Sequence, residues 1–247
     1  PLFYYRQHDK SITNNEKELL KVRGKIKAKH VQKRKLDPID VIAIIPVRGN
    51  AIDPRSNPLK KVGRKCLIDW TIESALNSQL VTKVIITTPD EKVIGHVRKS
   101  YPEVMVHKRD VKLAWINTAI EETALEALEF YKSSDKEPDV LLMLYIEAPF
   151  RSAMYIDKAI NTFQLYDVDV VDGVRSDNDI FYVHRGNGLE LWHKDNKLRL
   201  ERDELYRRVG GIHLIRTSTL VKTRNMLAAR TGHIFLDQEA GFTIKSE

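Results

Sequence analysis

The rhythm of apolar residues changes several times along this chain, and each change marks an element. Residues 39–47 (IDVIAIIPV) form a nearly continuous β-branched run bounded by turn residues, as in a strand buried on both faces of a parallel sheet. Helical periodicity follows over 68–78, then a strand at 83–88, a helix over 90–101 and a short strand at 104–108. A long helix over 118–133, a very apolar strand at 139–146, a helix over 153–166 and a strand at 168–174 continue the alternation. Strands separated by helices of about 10–15 residues predict right-handed βαβ crossovers. The expected fold class is therefore α/β, with a doubly wound, mostly parallel sheet.

Beyond Val174 the texture changes. Residues 180–184 and 189–193 flank Arg185-Gly186-Asn187-Gly188 and read as a hairpin, because Asn-Gly supplies the positive φ that tight turns need. A small antiparallel insert is thus expected over about 175–210. A strand at 211–216, a helix over 218–226 and strands near 233–236 and 241–245 complete the domain, which spans 39–247.

Residues 13–35 have a helical pattern with a narrow stripe of Leu19, Leu20, Val22 and Ile26, and Asp37-Pro38 ends it. Residues 1–38 are expected to form a basic helical arm or linker. The chain's net charge of +7 resides there, where 11 Lys/Arg face Asp9, Glu16, Glu18 and Asp37; the other 30 cations and 30 acids cancel. The arm reads either as a solvated basic helix or as a contact for nucleic acid or acidic lipid, but the neutral domain argues against nucleic acid as the main partner. Pro1 is not an initiator residue, so trimming or processing is expected. No stretch approaches the roughly 20 apolar residues of a membrane helix, no signal-peptide order opens the chain, and a cytoplasmic location is expected. One cysteine, Cys66, is expected to exclude both an internal disulfide framework and a cysteine-based zinc site, and the eight histidines show no metal-ligand spacing.

In open parallel sheets, ligands bind beyond the carboxyl ends of the strands. The loop after the first strand, residues 48–65, carries six cations and one acid. It reads either as a solvated basic loop or as a phosphate receiver in which Gly49 and Asn50 turn the backbone amides toward an anion and Arg48 adds a forked contact. Neither Gly-x-x-x-x-Gly-Lys-Ser/Thr nor Gly-x-Gly-x-x-Gly is present, which disfavours an ATPase or dinucleotide-binding domain.

The segments IAIIPVRGN, LKKVGRKCLIDWTIESAL and KVIITTPDEKV, followed by HKRDVKLA, YIEAPFR and VGGIHLIR, resemble in order the motifs of the acylneuraminate (nonulosonate) cytidylyltransferases, the CMP-sialic acid synthetase family. The similarity runs collinearly over about 200 residues and marks a divergent member. It implies a Rossmann-like nucleotide-diphospho-sugar transferase fold and transfer of CMP from CTP to the anomeric hydroxyl of an acidic sugar, with pyrophosphate released. It also implies Mg²⁺ and a homodimer formed through the insert. By position, Arg48, Gly49 and Asn50 would cradle the triphosphate, with Lys60, Lys61 or Lys65 assisting. Thr88, Asp90 and Arg109 would lie near the nucleotide, although Thr88 and Asp90 also suit a plain helix cap. Arg151 and Arg207 would suit a carboxylate or phosphate, with Tyr145, Gly210 and Gly211 at the substrate.

The departures are equally specific. The family's two metal-binding aspartates fall on Thr243 and Lys245, and a lysine repels Mg²⁺. Glu147 and Asp237 are the replacement ligands the sequence offers, and Lys245 is alternatively a fixed counter-charge. The family's Lys-Asn becomes Asn57-Pro58, an aspartate becomes Pro89, and a glutamine becomes Tyr145. His184, Trp192, His193 and Lys194 would line a sugar pocket or form dimer contacts or surface. The alternative to an enzyme is a catalytically impaired nucleotide- or sugar-binding domain with a regulatory or scaffolding role.

Overall fold

The computed structural model describes residues 15–34, 36–132, 136–177, 179–192, 205–227 and 230–244. In chain order, α1 (Glu16–Arg34) precedes β1 (Val41–Pro46), and the basic loop contains a short ribbon of β2 (Lys61–Val62) and β3 (Lys65–Cys66). Then come α2 (Leu67–Leu76), β4 (Lys83–Thr88), α3 (Glu91–Ser100), β5 (Met105–Lys108), a single 3-10 turn over 111–114 and α4 (Ile120–Lys132). The rest is β6 (Val140–Leu144), α5 (Ala153–Tyr166), β7 (Val170–Asp177), the hairpin β8 (Tyr182–His184) and β9 (Leu189–Leu191), β10 (Leu205–Arg216), α6 (Thr217–Thr223) and β11 (Thr231–Phe235).

Seven strands form one sheet in the order β11-β7-β10-β6-β1-β4-β5, parallel except for β10, which runs antiparallel to both neighbours. Side chains alternate across a strand, so β1 divides its apolar run between two cores. Val41, Ala43 and Ile45 join Leu67, Ile72, Val97, Ile156 and Phe163 under α2, α3 and α5. Ile42 and Ile44 join Ala124, Leu128 and Leu220 under α4 and α6 on the other face. Helices covering both faces explain why β1 and β6 lack polar positions: neither face meets water.

Three expectations change. The basic helix is no free arm, since Leu20 enters the first core, Lys27 Nζ donates to Thr162 Oγ1 at 2.7 Å and Arg34 donates to the Leu165 carbonyl. The strand expected at 211–216 begins at Leu205. The strand expected at 241–245 is a turn and extended segment through Ile244, with Lys245 outside the described residues. His193 and Lys194 also lie outside them.

β10 contains an irregularity that matters for the site. Arg208 pairs with Val174 and His213 with Asp172, so five steps along β10 answer two along β7. Gly210 (φ 74) and Gly211 (φ 56) supply the left-handed backbone that this bulge requires. A Cβ on Gly210 would stand 2.2 Å from Leu236 Cδ2, and one on Gly211 3.0 Å from an Arg151 guanidinium nitrogen.

Candidate active site

The loop after β1 turns sharply at Gly49, whose φ is +82° and whose Cα is packed so tightly on Asp90 that a Cβ would meet its Oδ2 at 2.2 Å. Carbonyl O of Gly49 accepts from the amides of Ile52 and Asp53, which closes the turn. Among the described residues, the amides of Arg48, Gly49, Asn50 and Ala51 donate to no protein acceptor. Four such amides in succession beside a guanidinium are an arrangement suited to an anion.

Cations gather there. Arg48 is 38% exposed at its side chain and lies 3.5 Å from Asp53. Burial pushes the Asp53 carboxyl up, but hydrogen bonds from Arg55 and the charges of Arg55 and Arg48 outweigh it, so its net direction is down and it stays anionic. Arg109 is buried beneath the loop, donating to the Val47 carbonyl and to Thr123 Oγ1, both at 3.0 Å. Burial lowers its pKa to about 10, and Arg48 pushes in the same direction. Glu126 offsets part of that effect from the protein side.

Several expected residues have structural work instead. Asp90 Oδ1 caps α3 by accepting from the amides of Lys92 and Val93, and Thr88 Oγ1 accepts from the Asp90 amide. Asn50 spends its carboxamide on the Pro54 carbonyl and Asn57, holding the loop rather than a ligand. Lys65 pairs with Glu73 and covers the Trp70 ring at 5.2 Å, while Lys60 is exposed. The first two amides of α2 are taken by the carbonyls of Lys60 and Pro58, and the Cys66 and Asp69 amides by the capping box between those two residues, so that helix end has no vacant donors for a phosphate.

Beside this loop, where β6 and β10 meet, a cleft of about 270 Å³ is lined by Tyr145, Glu147, Arg208, Gly210, Gly211 and Thr243 among others. β6 neighbours β1, so cleft and loop share the carboxyl edge of the sheet. Burial raises the Tyr145 hydroxyl to about 12, keeping it protonated. Arg151 lies behind the lining, fully buried, and donates to the carbonyls of Tyr145, Ala148 and Gly210 at 2.9–3.1 Å. Burial lowers it to about 9; one nitrogen fastens the cleft's backbone, while its Nε and the second terminal nitrogen are buried without a hydrogen-bond partner among the described residues. Arg207 points the other way, toward Asp177 at 3.6 Å.

Sequence reasoning missed the arginine that faces the cleft, Arg208. Its guanidinium lies 3.7 Å from Asp172, which also receives Nδ1 of the buried His213 at 2.7 Å. Adjacent arginines on a strand were the available signal, but the bulge decides which of the two points inward.

The Mg²⁺ expectation does not fit the donors present. Asp237 is buried with both oxygens engaged, Oδ2 by the Tyr155 hydroxyl and Oδ1 by the Ala240 amide, each at 2.7 Å. Thr243, at the family's aspartate position, lines the cleft with Glu147, which leaves a single lining carboxylate among the described residues. Hard cations of this size are satisfied by oxygens in near-octahedral array, and one carboxylate is a poor cage. The described residues do hold one other ligand cluster, Cys66, Asp69 and His96.

A mostly parallel sheet flanked by helices is the architecture of the Rossmann-like nucleotidyltransferase fold. The cytidylyltransferase family profile matches residues 42–225, and the chain belongs to that family. It is similar to the post-translational flagellin modification protein B of Campylobacter coli, 23% identical over 84% of this chain and 91% of that protein. It also resembles the N-acylneuraminate cytidylyltransferase of Escherichia coli, 33% identical over 50% of this chain and 28% of that protein. Pseudaminic acid cytidylyltransferase of Campylobacter jejuni is 30% identical over 49% of this chain and 52% of its own length. Among solved structures, 4-diphosphocytidyl-2C-methyl-D-erythritol synthase of Anaerococcus prevotii shares the fold with a TM-score of 0.63 at 14% identity, covering 87% of this chain and 94% of that one. No helix among the described residues is long and apolar enough to cross a membrane.

Proposed function

We propose that this chain transfers CMP from CTP to the anomeric hydroxyl of an acidic, nonulosonic sugar. The observation that carries the reading is the row of unpartnered amides at 48–51 beside Arg48. Three relatives whose names specify acylneuraminate, pseudaminic or legionaminic acid chemistry give the substrate class its support.

In this reading the loop amides and Arg48 hold the triphosphate, with Arg109 supplying positive potential from beneath and Lys60 and Lys61 from the rim. The sugar occupies the cleft, its carboxylate toward Arg208 and its hydroxyls toward Tyr145. The anomeric oxygen attacks the α-phosphorus, the bond to the β-phosphate oxygen breaks, and pyrophosphate leaves in line. Glu147 takes the hydroxyl proton. Positioning of the two reactants and neutralisation of the transferring phosphate supply the rate. Homodimerisation fits the hairpin, which presents Ile180, Phe181, Tyr182, Leu189 and Leu191 to solvent.

Arg48→Ala is expected to weaken CTP binding at least about tenfold, the loss of one charged hydrogen-bonding contact, and to abolish pyrophosphate release while the melting temperature holds. Unchanged CTP affinity in calorimetry would move the nucleotide elsewhere. The engaged Asp237 and the Thr243 substitution favour one second reading, a domain that binds CTP or sugar without turnover. Binding of both ligands with no pyrophosphate release, with and without added Mg²⁺, would select it.

A further inference from the structure

On the α2–α3 side of the sheet, Cys66 closes β3, Asp69 sits in the first turn of α2, and His96 projects from α3. Cys66 Sγ, a carboxylate oxygen of Asp69 and a ring nitrogen of His96 all lie within 4.8 Å of one another. We propose that these three residues bind a borderline-soft divalent cation, Zn²⁺ in the first instance, with water in the fourth position. The proposal does not rest on the nucleotidyltransferase reading.

The donor set selects the ion. Sulfur, imidazole nitrogen and one carboxylate oxygen are the ligand types Zn²⁺ takes tetrahedrally, at about 2.0–2.3 Å. Those lengths place the donors roughly 3.3–3.8 Å apart, within the spread seen here. Mg²⁺ and Ca²⁺ prefer all-oxygen shells and have no reason to settle beside a thiol.

Asp69 is arranged to serve without loss to the fold. Its Oδ2 accepts from the Cys66 amide at 3.0 Å and caps α2, and its Oδ1 meets His96 Nε2 at 2.7 Å. A cation entering between Oδ1 and Nε2 replaces that one contact and leaves the cap in place. The His96 side chain is 26% exposed, so the ion can reach it from solvent. Burial pushes the Cys66 thiol up, and the Asp69 charge adds to the shift. Zn²⁺ binding forms the Zn–S bond and releases the thiol proton to solvent.

No sequence signature announces this cluster, because its members come from a strand end and two different helices, with His96 27 residues after Asp69. A scan for metal-ligand spacing passes over it.

The test uses the full chain and Co²⁺ as an optical probe, with Zn²⁺ as competitor. The wild type is expected to bind one Co²⁺ with visible bands of a four-coordinate ion and a near-ultraviolet thiolate charge-transfer band, both erased by Zn²⁺. Cys66→Ser should delete the charge-transfer band, and both Cys66→Ser and His96→Gln should weaken binding at least about tenfold, the scale expected when a ligand or its immediate support is lost. Asp69 is left intact so that the α2 cap survives. Arg48→Ala should bind Co²⁺ as the wild type does, which separates this site from the nucleotide loop. A wild type without the thiolate band, a band that persists in Cys66→Ser, or unchanged affinity in His96→Gln would overturn the site.

Discussion

The sheet has two halves that meet at β1 and β6, and they were built to different degrees of regularity. On the β1–β4–β5 side every strand is parallel, in unbroken register, and delivers its loop to the same edge. On the β6–β10–β7 side an antiparallel strand is inserted and slips its register between Arg208 and His213. Among the described residues, the regular half leaves a row of backbone amides unpartnered at its edge; the irregular half presents side chains to a cleft. Phosphate is the same in every nucleotide, so under the proposed function backbone geometry suffices for it. A sugar must be told from its neighbours, and side chains whose aim a bulge can adjust suit that task.

The sharpest way to break this contrast is at Gly49. Valine there must adopt φ near +82° and place its Cβ where Asp90 Oδ2 now sits, 2.2 Å away. Strain of this kind costs about 1–3 kcal/mol, and displacing Asp90 also loosens the α3 cap by about 1 kcal/mol. Gly49→Val is expected to lower CTP affinity by about 100-fold or more, since the amides can no longer face one point, and to lower the urea midpoint measurably. A variant that binds CTP normally in calorimetry would show that side chains, not backbone, hold the nucleotide.

In the other half the contrast is sharpened by neighbours. Arg208→Ala removes the guanidinium that lines the cleft, and a charge-assisted contact is worth about 1.5–3 kcal/mol. The KM for the acidic sugar is therefore expected to rise about 10- to 100-fold, with the KM for CTP nearly unchanged. Arg207→Ala, which loses a solvent-facing contact to Asp177, should alter both by less than about threefold. If Arg207→Ala is the more damaging, the cleft has been assigned to the wrong face of β10.

That pair of arginines shows what was legible in the sequence. Simple alternation puts Arg207 on the face of His213, six residues on; the bulge makes the separation effectively odd, and Arg208 joins His213 at Asp172. Register is a property of two strands, and β7 gives no sign in its own sequence that β10 will slip against it. The β1 loop was readable because everything needed lies within one segment: a buried apolar run, a glycine, an arginine. Asp90 was readable as a helix cap for the same reason. The docking of α1 was not, because Leu20 is a single apolar anchor in a lysine-rich helix and its partner, α5, lies over a hundred residues away. The Asp237 carboxylate was offered as a metal ligand because its partners, Tyr155 and the Ala240 amide, are set by tertiary packing.

The smallest effect on either substrate is expected behind the irregular half, at Lys158 of α5. This lysine is buried, donates to the Phe235 carbonyl of β11 at 3.1 Å, and faces the ring of Tyr155. Burial lowers its pKa to about 8 from 10.5, with Lys27 and Arg23 pushing the same way. Between those two values the unfolded chain holds a proton that the native state has released, so this group makes stability rise with pH across the window; below about 8 the native state carries the charge at its full cost. Lys158→Met removes the charge and the slope, but also the hydrogen bond to Phe235, worth about 1 kcal/mol. Relief of the buried charge, about 3 kcal/mol, exceeds that loss, so net stability at pH 7 should rise, and the variant's stability relative to wild type should decline between pH 8 and pH 10. Urea midpoints at the two pH values measure this directly. A relative stability that stays flat would mean Lys158 titrates near its ordinary value, with water reaching behind β11. Neither substrate's KM should change, because the residue lies under the sheet and its influence on the cleft passes only through a strand that Asp237, Tyr155 and Arg175 also hold.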